Sequence, residues 1–205
     1  GFSSIASGQY STAMGGGGSA SGDYSIAMGG GGLASGDYST ALGFSTGASG
    51  NASVAMGSGT IARSFAETVI GVNNTTVTPF STTGWHADDR LFVIGNGGFG
   101  SFSTAMVVLK NGNMGLGTST PNEVLEIAGD GRAFFGDGGG GDRKGLLIDG
   151  IQGTTAARIE SFDYGAGIGL DLVINTGGGG DVGIKNSNPN VSLDVSGSIE
   201  YTGTI

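Results

Sequence analysis

One histidine and no cysteine bound the chemistry open to this chain. A nucleophilic triad needs an imidazole held between a nucleophile and an orienting acid, and a zinc centre needs several nitrogen or sulfur ligands. His86 stands beside Trp85 and ahead of Asp88, Asp89 and Arg90, which supplies neither set. The segment reads as structural. Trp85 is expected to cap the apolar end of the preceding element, with Asp88, Asp89 and Arg90 as a polar cluster facing solvent or another chain. Glu123 and Glu126 come nearest to the paired carboxylates of glycoside hydrolysis. Their counterparts 68 positions on are Val191 and Asp194, so the pair of charges does not recur, as is usual for surface decoration. No catalytic, cofactor-binding or metal-binding residue is assigned, and the expectation is a protein that is not an enzyme and carries no cofactor.

Glycine-rich segments give two further candidates. Gly95-Asn96-Gly97-Gly98-Phe99-Gly100 fits the spacing of a dinucleotide-binding loop and follows the apolar Leu91–Ile94. That loop needs a helix next and an acidic residue about 20 positions on. Ser101–Thr104 and Met106-Val107-Val108 follow instead, and no acid occurs between Gly100 and Glu123. Gly138–Asp142 and Gly177–Asp181 have the flavour of calcium-binding β-roll nonapeptides, but those place the acid sixth and repeat in tandem. Here the acid is fifth and the runs stand alone, so solvated turns are expected.

Tyr10, Tyr24 and Tyr38 recur at intervals of 14 residues. A column of rings at a structural repeat is packing between coils or subunits, or else an exposed aromatic stripe for sugar binding. The elements that would position them follow from the same period. Met14, Met28, Leu42, Met56 and Ile70 hold one apolar position, each followed by glycine. Ala6, Ala20, Ala34, Ala48 and Ala62 hold a second, and Gly8, Gly22, Gly36 and Gly50 a third, which lapses to Ser64. A fixed short period means one unit stacked on its copies. In Ser35–Gly43 the residues Tyr38, Thr40 and Leu42 alternate with Ser39 and Ala41, the two-residue period of a strand. A second short strand is expected at Leu33–Ser35, with glycine turns between. Each coil then has two short strands around a core of Ala, Ser, Thr and Gly with one Met or Leu. So thin a core buries little apolar area and calls for association with other copies of the chain.

Composition agrees with an all-β reading. Glycine supplies 46 of 205 residues, about three times the usual share. It does not fall at every third position and there are three prolines, which excludes collagen. Residues 1–62 hold no Lys or Arg and only Asp23 and Asp37 within a net charge of -9, leaving no footprint for nucleic acid. No apolar run approaches the ~20 residues of a membrane span. With no initiator Met at Gly1 and no signal peptide, the chain is expected to be a piece of something longer.

Residues 72–110 are expected to cap the repeat and carry short strands at Leu91–Ile94 and Ala105–Leu109. Residues 111–205 contain a tandem pair of β-modules. Met114-Gly115-Leu116 matches Val182-Gly183-Ile184, and Leu125-Glu126-Ile127 matches Leu193-Asp194-Val195, each pair 68 residues apart. Further strands are expected at Gly145–Asp149, Ala156–Phe162 and Leu170–Ile174.

The copies ASGQYSTAMG, ASGDYSIAMG, ASGDYSTALG and ASGNASVAMG resemble the head repeats of trimeric autotransporter adhesins over residues 1–71. The resemblance implies a left-handed parallel β-roll in a three-chain bundle. The segments LFVIGNG and VLKNGNMGLGTSTP, then LEI, resemble β-modules of bacteriophage tail fibres. Such modules commonly precede an endosialidase-type intramolecular chaperone domain, to which the final VSGSIEYTGTI looks like a lead-in. The expected protein is therefore an elongated homotrimeric β-fibre, with a β-roll head from 1 to 71 and tandem β-modules beyond. Its implied function is adhesive, on a cell surface or a virion tail, with itself and a surface glycan or protein receptor as partners. The alternatives are a tail fibre recognising a host glycan and, behind that, a polysaccharide-degrading tail spike.

Overall fold

The computed structural model describes residues 2–128 and, beyond them, the strands at 133–136, 144–150, 157–163, 168–169, 182–184 and 193–195. Among the described residues every regular element is a strand, and no helix is long and apolar enough to cross a membrane. The chain divides into two compact units, Gly1–Arg132 and Ala133–Ile205.

The first unit is a parallel β-solenoid whose coils alternate a two-residue and a five-residue strand. In chain order these are β1 (Ile5–Ala6), β2 (Thr12–Gly16), β3 (Ser19–Ala20), β4 (Ile26–Gly30), β5 (Leu33–Ala34), β6 (Thr40–Phe44), β7 (Gly47–Ala48), β8 (Val54–Ser58), β9 (Ile61–Ala62) and β10 (Thr68–Val72). The short strands form one parallel sheet and the long ones another. Each long strand pairs with the next in the register that the 14-residue period dictates: Met14 with Met28, Met28 with Leu42, Leu42 with Met56 and Met56 with Ile70.

The period continues further than the spacing alone reveals. Strand β11 (Arg90–Asn96) adds a sixth parallel rung, pairing Val69 with Val93, Ile70 with Ile94 and Gly71 with Gly95. Those partners lie 24 positions apart rather than 14, so a ten-residue insertion separates them. Strands β12 (Thr104–Leu109) and β13 (Met114–Leu116) then turn back antiparallel, and β14 (Leu125–Ile127) closes the nine-stranded sheet parallel to β13. That sheet runs through residue 110 without a break.

The core corrects one expectation. Ala20, Ala34, Ala48 and Ala62 face Ala27, Ala41, Ala55, Val69 and Val93 inside the coil, all fully buried. Met14, Met28 and Met56 are exposed, and Leu42, Ile70 and Ile94 half-buried, on the outer face of the long-strand sheet. The large apolar residue therefore points out and the alanine points in. Two sheets this close leave room inside for a methyl group and little more, so alternation sends the neighbouring larger side chain outward.

Two glycine columns permit this spacing. A Cβ on Gly15, Gly29, Gly43 or Gly57 would strike the carbonyl of the glycine one coil on, and all four hold φ between +112° and +129°. A Cβ on Gly8, Gly22, Gly36 or Gly50 would meet the backbone carbonyl of Gly22, Gly36, Gly50 or Ser64 in the same way.

In the second unit β15 (Ala133–Gly136), β16 (Lys144–Gly150), β17 (Ala157–Asp163) and β18 (Ile168–Gly169) form an antiparallel sheet in that order. Strands β19 (Val182–Ile184) and β20 (Leu193–Val195) pair in parallel, Val182 with Leu193 and Ile184 with Val195. The first copy of the duplication does the same: Met114 pairs with Leu125 and Leu116 with Ile127. The strand expected at 170–174 lies outside the described residues, as do the glycine runs 138–142 and 177–181.

Gly36→Ala is expected to cost about 1–3 kcal/mol, because its new methyl overlaps backbone that cannot swing away. Gly84→Ala, whose added carbon meets only the Ser81 hydroxyl at an ordinary 3.6 Å, should stay within about 0.5 kcal/mol. Denaturant unfolding of the two variants checks this, and equal losses would refute the close approach of the coils.

Candidate functional site

Three features compete as a site: the tyrosine column, the outer apolar face, and the polar closure after the fifth coil. The tyrosines come first in the chain. Tyr10, Tyr24 and Tyr38 sit just before the long strands, not within them, each at φ near +57°. Left-handed backbone is uncommon for non-glycine residues. Here it recurs because the Tyr24 N–H donates to Gln9 O and the Tyr38 N–H to Asp23 O, each at 2.7 Å. That turn swings the rings outward, where Tyr10 and Tyr24 stack at 5.0 Å and Tyr24 and Tyr38 at 5.1 Å. The spacing is close to the strand separation of a sheet, so the coils set it. All three rings are exposed within the single chain.

Beside them runs a ladder of side chains at the same turn. The Gln9 N–H donates to Asp23 Oδ1, the Asp23 N–H to Asp37 Oδ1 and the Asp37 N–H to Asn51 Oδ1, at 2.8, 3.0 and 3.1 Å. The Asn51 N–H finds no further coil and donates to Thr82 O in the insertion.

The closure is built from residues that replace small ones in the buried columns. Gly18, Gly32, Thr46 and Thr60 are followed one period on by Asn74, and Ser25, Ser39 and Ser53 by Glu67; all are buried. Asn74 Oδ1 accepts the Ile61 N–H at 2.8 Å while Asn74 Nδ2 donates to Ile61 O at 3.0 Å. One side-chain amide thereby stands in for the backbone of a missing sixth short strand. Glu67 Oε2 accepts from the Arg63 and Ser64 N–H groups at 2.7 and 2.8 Å and from Ser64 Oγ at 3.3 Å.

Trp85 does not cap the roll: it is 66% exposed. An open coil end presents unpaired N–H and C=O groups, and Asn74 and Glu67 satisfy these where an apolar lid would leave them orphaned. Asp89 and Arg90 are not solvated either. Both are buried within the one chain, and only Asp88 is exposed. Asp89 accepts the Phe80 and Ser81 N–H groups at 2.7 and 3.0 Å and lies 4.0 Å from Lys110 Nζ. His86 stacks on Phe80 at 4.3 Å, and its Nδ1 accepts the Asp88 N–H at 3.3 Å. Among the described residues no group of three or more His, Cys, Asp or Glu is placed to hold a metal ion.

The remaining motifs resolve into turns. Gly95–Gly100 leaves β11 and leads to the antiparallel β12 with no helix. Glu126 Oε2 accepts the Asn122 N–H at 2.9 Å, and Glu123 is exposed. Glu67 and Asn74 escape a reading of motifs, yet the 14-residue register marks them as the first large polar residues in columns of Gly, Ser and Thr.

Residues 2–31 and 34–60 match the family model described as the YadA head domain repeat, in two copies. The match covers the coils from β1 to β8 and is under a third of the chain. No curated protein matches the chain. Over those residues the chain is similar to YadA head repeats, and the parallel β-solenoid is the β-roll that such repeats form.

Burial raises the Glu67 carboxyl above its ordinary value of 4.5, against the lowering by the Ser64 and Arg63 N–H bonds and the Arg90 charge. The folded chain thus holds this proton more tightly than the unfolded one. The contribution to stability is full below about pH 4.5 and is lost as pH rises through the folded value. Glu67→Gln should therefore gain stability relative to the parent as pH rises through that window. Glu67→Ala leaves the Arg63 and Ser64 N–H groups unpaired and should lose about 1–3 kcal/mol. Denaturant midpoints between pH 4 and pH 8 report both, and an unchanged pH slope in Glu67→Gln would refute the assignment.

Proposed function

We propose that this chain is the head and adjoining modules of a homotrimeric adhesive fibre, projected outside the cell and presenting a binding surface. One observation carries the reading. The outer face of the long-strand sheet is a continuous apolar column of Met14, Met28, Leu42, Met56, Ile70 and Ile94, laid over a core of little more than alanine. A thin core beneath an exposed apolar face is half of an interface. Resemblance of the head to YadA repeats supports three copies, since heads of trimeric adhesins assemble that way. The fibre binds a surface glycan or protein receptor, and its work is mechanical: it holds that contact away from its anchor. No step of catalysis and no cofactor enters this reading.

A second reading is favoured by the repeated module. The parallel pairing of β13 with β14 recurs in β19 with β20, as expected of tandem modules like those of tail fibres. In that case the same fibre is carried on a phage or injection-system tail, with a chaperone domain following it.

The native mass in solution should be near three times the 20.0 kDa of one chain. Leu42→Asp, placed in the middle of the outer column, should lower it to one chain without loss of β-structure. A folded monomer of the unaltered chain, measured by light scattering on a sizing column, would refute the trimer. Incubation with capsular polysaccharides should release no reducing ends, and release would overturn the non-enzymatic reading.

A further inference from the structure

At the open end of the β11–β12 hairpin a lysine and an aspartate are buried side by side. The Lys110 N–H donates to Asp89 O at 2.9 Å, one position beyond the antiparallel pair of Arg90 and Leu109. Residues opposite each other on neighbouring strands carry their side chains to the same face. Here Lys110 Nζ lies 4.0 Å from Asp89 Oδ2, and both side chains are 2% exposed. That separation is too long for a hydrogen bond. Nζ has no hydrogen-bond partner among the described residues, although an ammonium carries three donors. The Phe65 ring centroid is 5.7 Å from it, near the outer limit of a cation–π contact.

A buried ammonium and carboxylate ordinarily close to about 2.7–2.9 Å and satisfy each other. In this pair the carboxylate is already held by backbone. Asp89 Oδ1 accepts the Phe80 N–H at 2.7 Å and Oδ2 the Ser81 N–H at 3.0 Å. Fixed N–H donors on a carboxyl oxygen stabilise the charge that gathers there when a nucleophile adds to the carbon. Burial lowers the Lys110 ammonium below its ordinary value of 10.5, against the Asp89 and Glu67 charges that raise it. The free amine, which is the nucleophile, is therefore easier to reach than on an exposed lysine. The flexible four-carbon stem of a lysine can bring Nζ to the roughly 3–3.5 Å from which addition begins.

We propose that Lys110 and Asp89 condense into an intramolecular isopeptide bond between Nζ and Cγ. The amine adds to Cγ, and Oδ1 carries the negative charge of the tetrahedral intermediate under the Phe80 N–H. The bond from Cγ to Oδ2 then breaks. One ammonium and one carboxylate enter, and the two protons that the nitrogen gives up leave with Oδ2 as a single water. Nothing is oxidised or reduced, and no other reactant is needed. The product removes two buried charges and leaves one amide N–H in place of three unpaired donors. It also ties the two ends of the hairpin, so that tension along the chain passes from residue 89 to residue 110 without loading the strands between. The inference goes beyond the adhesive reading and does not rest on it, since both residues belong to one chain.

The test is the intact mass of the unaltered chain by electrospray mass spectrometry, followed by a tryptic map. The chain should be lighter than its sequence by the mass of one water. The map should show peptide 64–90 joined to peptide 91–132, with no cleavage after Lys110. Lys110→Arg, which keeps the charge and cannot form the bond, should have the full sequence mass. The linked peptide of the unaltered chain decides the matter if that variant fails to fold. A full sequence mass in the unaltered chain would overturn the bond. So would a lost water that persists in Lys110→Arg or that the map assigns to other residues.

Discussion

Everything in the first unit depends on how closely one coil lies on the next. At Gly15, Gly29, Gly43 and Gly57, and again at Gly8, Gly22, Gly36 and Gly50, backbone carbonyls of the following coil occupy the space a Cβ would take. The chain can therefore turn sharply at the same two points in every coil, which flattens the coil and brings its two sheets together. Between them there is width for Ala, Ser and Gly. An aliphatic side chain of ordinary size has nowhere to go but outward, and the long-strand sheet becomes apolar on its outer face. Sequence, backbone and surface are thus one constraint: remove the glycines and the coil must widen, the alanines no longer fill it, and the outer methionines lose their reason to be outside. The hydrophobic effect that a globular domain spends inside itself is here offered to a neighbour.

A solenoid also has to stop, and the way this one stops follows from the same geometry. The short-strand sheet loses its next strand after β9, and the residue that falls in line there is Asn74, whose amide carries a donor and an acceptor as a peptide does. The long-strand sheet does not stop at β10. It accepts β11 after the insertion and turns antiparallel only at β12, so the column of Val69, Val93 and Val107 continues the alanine core with larger residues. As the short-strand side of the coil ends, the interior gains the room that valine needs. Burying Glu67, Asp89, Arg90 and Lys110 close together at this point costs desolvation, and each carboxylate offsets it by accepting backbone N–H groups of the segment that folds over it.

How much of this was legible in the residues depends on which signal was periodic. The coil, its two strands and its parallel register follow from a 14-residue spacing without insertions, because stacking identical units admits one register. The facing of the strands did not follow. Alternation says that Leu42 and Ala41 point opposite ways but not which of them is inside, and the usual preference for burying the larger residue gives the wrong answer when the cavity is methyl-sized. The apolar run Leu91–Ile94 reads as a strand, yet the insertion that moves Val93 from 14 to 24 residues after Val69 hides the membership of β11 in the solenoid. Trp85 misleads for a related reason. A lone tryptophan after an apolar repeat suggests a plug, whereas the unmet need at a coil end is for hydrogen bonds. Asn74 and Glu67 met that need, and no motif marks them except their place in the register.

Periodicity has a further consequence for where recognition can occur. Along an unbroken roll every outward position becomes a column, as Tyr10, Tyr24 and Tyr38 or Asp23 and Asp37 do, and a column is a surface with no enclosure. Cavities form where the repeat lapses. One shallow groove lies on the short-strand sheet at Gly47, which interrupts the file of Leu33 and Ile61 and leaves their side chains as its walls. The larger one lies under the insertion between β10 and β11, where the regular coil gives way to residues outside the 14-residue register. A repeat protein that needs a shaped recess has to build it at such a lapse, since only there can a large side chain such as Arg90 be buried without a copy of itself one coil away.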